Sequence, residues 1–148
     1  MLLFAAIIFS PASLAQQNNT SFGIGYGPDY AGLGINFGFA QEDIFKYLAV
    51  GCSRPGYGGH YSCGGSVGFI QARPWGLSER FGMGVNIGLG YSQSEKYGTG
   101  SAVNIGATAG YYFSGVHSPG WHLAITPAVQ FVGTKSSIVG LAGVGYQM

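Results

Sequence analysis

Residues 80–92 read RFGMGVNIGLGYS. Phe81, Met83, Val85, Ile87, Leu89 and Tyr91 hold the odd positions, and Gly82, Gly84, Asn86, Gly88 and Gly90 hold the even ones. Side chains alternate between the two faces of a strand, whereas a helix repeats every ~3.6 residues. A run this regular is a strand with two unlike faces, one bulky and apolar, the other almost bare.

The pattern recurs along the chain. In 21–27, Phe22, Ile24 and Tyr26 alternate with Gly23, Gly25 and Gly27. In 30–40, Leu33, Ile35, Phe37 and Phe39 alternate with Gly32, Gly34, Asn36 and Gly38. Similar strands are expected over 102–113, 121–131 and 138–148, with two noisier ones near 44–52 and 62–72. The segments between them are turn-like, rich in Gly, Pro, Asn, Asp or Ser. They also hold the acidic residues Asp29, Glu42, Asp43, Glu79 and Glu95. No helix-period segment follows the first fifteen residues. The expectation is eight antiparallel strands.

Composition says what the bulky face meets. Six basic and five acidic residues make only 7% of the chain, and mean hydropathy is +0.25. A soluble sheet sandwich or barrel would bury the bulky face and leave an outer surface of Gly, Asn and Thr. Soluble surfaces usually carry roughly 25–35% charged residues. A transmembrane barrel removes the conflict, because lipid covers the bulky face and the small residues line a narrow interior. The runs from Phe81 to Tyr91 and from Trp121 to Phe131 match the ~9–11 residues a spanning strand needs, with aromatics at both ends. The strands must close, since open edges in hydrocarbon leave backbone groups unpaired. The expected fold is therefore all-β: an eight-stranded, antiparallel, up-and-down transmembrane β-barrel. A net charge of +1 and the lack of a Lys/Arg cluster argue against a nucleic-acid partner.

MLLFAAIIFSPASLA, residues 1–15, has the apolar core and small residues of a signal peptide. Cleavage is expected before Gln16, leaving a short leader over 16–20 and a barrel within 16–148.

The alternating strands of residues 20–148 resemble the small eight-stranded outer-membrane barrels of Gram-negative bacteria, the OmpA-like and OmpX-like families. The resemblance lies in pattern rather than in a specific motif. It implies the bacterial outer membrane as location, with membrane lipid, lipopolysaccharide and the barrel-assembly machinery as partners. Those families end in an aromatic residue; here the chain ends VGYQM, with Met148 in that place. The implied role is an integral outer-membrane protein, structural or surface-binding, without a cofactor. Sequence does not name the external ligand.

Several residues are candidates for a function. Asn36, Asn86 and Asn104 recur in GINFG, GVNIG and AVNIG, and all face inward. With Thr108, Thr126 and Gln130 they form a possible polar lumen network, either a packing network or a narrow path for water or small solutes. Lys46 and Arg80 are expected to face the lumen too, and His122 to pack there. Cys52 and Cys63 flank RPGYGGHYS and are expected to form a disulfide across one hairpin mouth. A metal site built on Cys52, His60 and Cys63 lacks a fourth ligand. Arg54, Tyr57, His60 and Tyr61 make the 53–62 loop the best surface for binding a partner. The segments 28–30, 93–101 and 133–136 are the other outer contact surfaces. His60 and Ser62, two apart, resemble the His-x-Ser pair of outer-membrane lipid A deacylases. That gives an alternative reading as a hydrolase, but Cys63 stands where that family has Asn, and no carboxylate is placed to orient His60.

Overall fold

The computed structural model describes residues 19–53, 61–94 and 98–148. The expected signal peptide, most of the leader, Arg54, Tyr57 and His60 lie outside them. Eight strands follow one another: β1 (Asn19–Gly27), β2 (Gly32–Gln41), β3 (Ile44–Ser53), β4 (Tyr61–Ala72), β5 (Phe81–Ser94), β6 (Gly98–Tyr112), β7 (Gly120–Val132) and β8 (Lys135–Gln147). Each pairs antiparallel with the next, and β8 pairs back onto β1 to close the barrel. The eight-stranded, up-and-down β-barrel is therefore as expected.

One circuit of the pairing register links Gly145, Gly25, Gly34, Gly51, Gly64, Gly90, Ala102, Val132 and Lys135 in turn. The path leaves β8 at residue 145 and returns to it at residue 135. That stagger makes the strands tilt steeply around the barrel axis. It also strings six glycines in register on six neighbouring strands.

The wall is inside out by the standard of a soluble protein. On β7, Ile125 is 63% exposed and its neighbour Thr126 is 1% exposed. Ile87, Leu89, Leu123 and Phe131 face outward, while Asn36, Asn86, Thr108 and His122 are buried within. The bulky face is not the core, so the soluble sandwich that would bury it is not this fold.

Large inward side chains sit against glycines. Phe45 occupies the space beside Gly38, Tyr47 that beside Gly68, and Asn104 that beside Gly88. A Cβ on any of these glycines would collide with the ring or amide opposite. Phe45, Tyr47, Ala49, Ile70, Ala72, Tyr112 and Val116 form the apolar part of the interior. Val116 reaches it from the β6–β7 connection, tied by its N–H to the Glu79 carbonyl at 3.0 Å.

Two expectations about charge are corrected here. Lys46 is on the outer face, because Phe45 and Tyr47 take the inward positions of β3. Its Nζ reaches Gln41 Oε1 at 3.5 Å near the strand end, as long cationic side chains do when their stems lie on apolar surface. Arg80 is exposed in the turn before β5, where its N–H meets Ser78 Oγ at 3.1 Å.

Candidate functional site: a turn folded into the barrel

The most unexpected element is the β1–β2 connection. Pro28–Tyr30 forms a single 3-10 turn, and it points into the barrel. Asp29 is 3% exposed and Tyr30 1%. This corrects the assignment of 28–30 as an outer contact surface. Gly27 and Gly32 bracket the turn with φ of 136° and 108°, backbone conformations that glycine adopts at little cost. They let the chain leave β1, dip inward and return as β2.

The glycine belt is the socket for this turn. A Cβ at Gly25 or Gly145 would meet the Tyr30 ring, and one at Gly34 or Gly51 would meet the Tyr30 carbonyl oxygen. Bare positions in that register leave the volume that Tyr30 fills.

Polar contacts hold the turn from several sides. Tyr47 on β3 donates to Asp29 Oδ1 at 2.9 Å. Ser66 on β4 donates to the Pro28 carbonyl at 2.9 Å, and Asn36 on β2 donates to the Asp29 carbonyl at 3.3 Å. The Tyr30 hydroxyl lies 3.4 Å from His122 Nε2 on β7. His122 is stacked between Tyr30 and Tyr112, with ring centroids at 5.6 and 4.8 Å.

Asp29 belongs to a connection, not to a strand. Burial raises its carboxyl above the ordinary 3.8, while hydrogen bonds from Tyr47, Thr108 and Asn86 pull it back down. Burial, and then the negative charge of Asp29, push the Tyr30 phenol up.

The expected lumen residues fall into three groups. Asn86, Thr108 and Thr126 meet directly: Asn86 Nδ2 donates to Thr108 Oγ1 at 3.1 Å, and the two Thr hydroxyls are 2.9 Å apart. The β6–β7 register lapses between the Gly106–Ala128 and Ala109–Ile125 pairs, beside Pro127, which has no N–H to offer. The Thr–Thr hydrogen bond bridges the two strands at that lapse. Asn36 joins this group only through Asp29, and it also accepts from Gln147 Nε2 at 3.3 Å. Asn104 and Gln130 face each other in register, two residues before Gly106 on β6 and two after Ala128 on β7. Asp29, Tyr30, Tyr47 and Ser66 were missed as lumen residues. Among the described residues, three buried polar atoms have no protein partner: Asn86 Oδ1, Tyr112 Oη and His122 Nδ1. All three belong to side chains around the inserted turn.

Cys52 and Cys63 are bonded, as expected, across a register pair of β3 and β4. Both are exposed on the outer face, beside Tyr91 in the neighbouring register. Closing the 53–62 segment this way stabilises the barrel by up to about 3 kcal/mol. Of the binding and hydrolase candidates, Tyr61 and Ser62 open β4. Two shallow apolar grooves, of about 450 and 320 Å³, lie on the outer wall. Leu33, Ile35 and Val50 line one, and Phe81, Leu123 and Ile125 the other.

No family model, curated protein or solved structure matches the chain.

Proposed function

We propose that this chain is an integral protein of the bacterial outer membrane, exported with cleavage before Gln16, and structural or surface-binding in role. The observation that carries the reading is the inverted wall: polar Asn86, Thr108, Thr126 and His122 are buried, and Ile, Leu, Val and Phe side chains cover the outside. Exposed apolar patches on soluble monomers seldom exceed a few hundred Å², and here the apolar face runs around the barrel. Edge-to-face pairs at one barrel end, Phe81 with Tyr111 and Trp121 with Tyr146, suit an interfacial girdle. Lipid and lipopolysaccharide are the partners this surface fits, and the barrel-assembly machinery is the partner for insertion.

The inserted turn supports a structural or binding barrel over an open conduit, since Asp29 and Tyr30 occupy the interior a solute would need. The hydrolase alternative has no geometry behind it, since His60 lies outside the described residues. Expression of the precursor, envelope fractionation, and gels run with and without boiling test the reading. A heat-modifiable band in the outer-membrane fraction is the expected result, and a soluble periplasmic chain without a heat shift contradicts it.

A further inference from the structure

Three residues of the β4–β5 connection hold left-handed backbone. Arg73 and Trp75 both have φ of 53°, and Gly76 has φ of 78°. Residues with a Cβ seldom take such values, and where they do the surroundings hold them there. Here the Arg73 N–H meets the Phe81 carbonyl and the Leu77 N–H meets the Pro74 carbonyl, both at 3.1 Å. Arg73 and Glu79 form an ion pair across the loop. The turn is thus fixed in place, with Pro74 buried and Trp75 85% exposed.

Pro74 and Leu77 of this turn line the smaller of the two outer grooves, of about 320 Å³. The rest of its lining comes from the barrel wall. Met83, Ala109 and Ile125 lie side by side in register on β5, β6 and β7, and Phe81, Tyr111 and Leu123 form the next outward row. Along β6 the outward residues read Ile105, Ala107, Ala109 and Tyr111. Two methyl groups thus make the floor of a trough, with a larger side chain at each end. The turn lies along the outer wall and roofs one end of that trough. The larger groove has no such cover, since its lining comes from β2, β3 and β4 alone.

We infer that the trough holds one acyl chain of a single phospholipid, whose phosphate lies at the 73–80 connection. The inference rests on the membrane reading, because only a bilayer supplies hydrocarbon chains along the wall. No residue that lines the groove is charged, which suits a hydrocarbon chain, and the open side of the groove is the outer face of the wall. The connection above it carries Arg73 and Arg80 against Glu79, one net positive charge. Among the described residues Glu79 is paired with Arg73, which leaves the Arg80 guanidinium for a phosphate. One such charge matches the single phosphate of a phospholipid. Lipopolysaccharide carries several phosphates and calls for a cluster of cations that this connection lacks. Trp75 beside the roof has the amphipathic ring that favours the headgroup level.

The test is native mass spectrometry of the detergent-purified barrel with dioleoyl phosphatidylglycerol added. Wild type should retain one phospholipid per barrel, and retention should saturate there. Ala109→Phe fills the floor of the trough, and Leu77→Ser removes part of its roof. Each should weaken retention roughly tenfold or more, as a hydrophobic pocket discriminates when its shape is changed. Arg80→Gln should weaken it as well. Val67→Phe, an enlargement on the outer face of β4, should leave it unchanged, and every variant should remain heat-modifiable. No retained lipid, graded retention of several lipids that Ala109→Phe does not alter, or stronger retention of lipopolysaccharide than of phosphatidylglycerol overturns the site. Envelope fractionation is scored first: a soluble chain sinks the membrane reading, whereas an inserted, heat-modifiable barrel that retains no phospholipid sinks the site alone.

Discussion

Tyr47 of β3 donates its hydroxyl proton to Oδ1 of Asp29, 2.9 Å away, and so fastens a connecting turn to the inside of the barrel wall. The bond joins two buried groups that no local sequence feature brings together. A buried carboxyl that loses such a donor pays most of the desolvation penalty of the group. Tyr47→Phe, which keeps the ring beside Gly68, is expected to lower unfolding free energy by about 1–3 kcal/mol. Urea titration of the folded protein in detergent, followed by tryptophan fluorescence, measures it.

Asp29 also makes stability depend on pH in a definite direction. Its folded-state pKa is raised, chiefly by burial, so the folded chain holds the proton more tightly than the unfolded one. That contribution is fully present below the unfolded value near 3.8 and is lost as pH rises through the folded value. Wild-type stability should fall along this rise, and Asp29→Asn should flatten the fall. Unfolding midpoints taken at a series of pH values decide it.

The socket makes a paired expectation. A methyl at Gly145 meets the Tyr30 hydroxyl and ring. Gly145→Ala should therefore destabilise by about 1–3 kcal/mol, the usual range for overpacking. In a Tyr30→Ala background the same change should cost much less. Equal costs in both backgrounds would mean that the turn does not sit in the belt.

If the turn closes the interior, emptying it should open a path. Planar-bilayer recordings of the wild type should stay at baseline. Combined Asp29→Gly and Tyr30→Gly replacement should give small resolvable steps, since eight strands enclose little more than their own side chains. Steps of the same size from wild type would favour the narrow-channel reading.

The strands were legible because period-two patterning depends only on each residue's own face. Phe81–Ser94 and Gly120–Val132 lie within three residues of the expected limits for that reason. The Cys52–Cys63 bond was legible because the two residues flank one hairpin. β3 was harder: FKYLAVG is bulky on both faces, and only the glycines opposite, Gly38 and Gly68, decide that Phe45 and Tyr47 point in and Lys46 out. The inward turn was not legible, because Gly-Pro-Asp-Tyr has the composition of any surface connection. Its direction comes from positive φ at Gly27 and Gly32. The signal that could have found it is the belt from Gly145 through Gly90, which emerges only once the strands are aligned.

The proposed membrane location sets the bulky face against lipid. Trp121 lies outward on β7, packed edge-on against Tyr146 with ring centroids 5.3 Å apart. Trp75 is the other tryptophan, exposed in the β4–β5 connection. The most direct measurement is therefore Trp121 fluorescence in a Trp75→Phe variant reconstituted into vesicles of chain-brominated lipid. Strong quenching relative to unbrominated vesicles, in protein that sediments with the lipid, is the expected result. Unchanged fluorescence, or protein left in the supernatant, would contradict a lipid-facing wall.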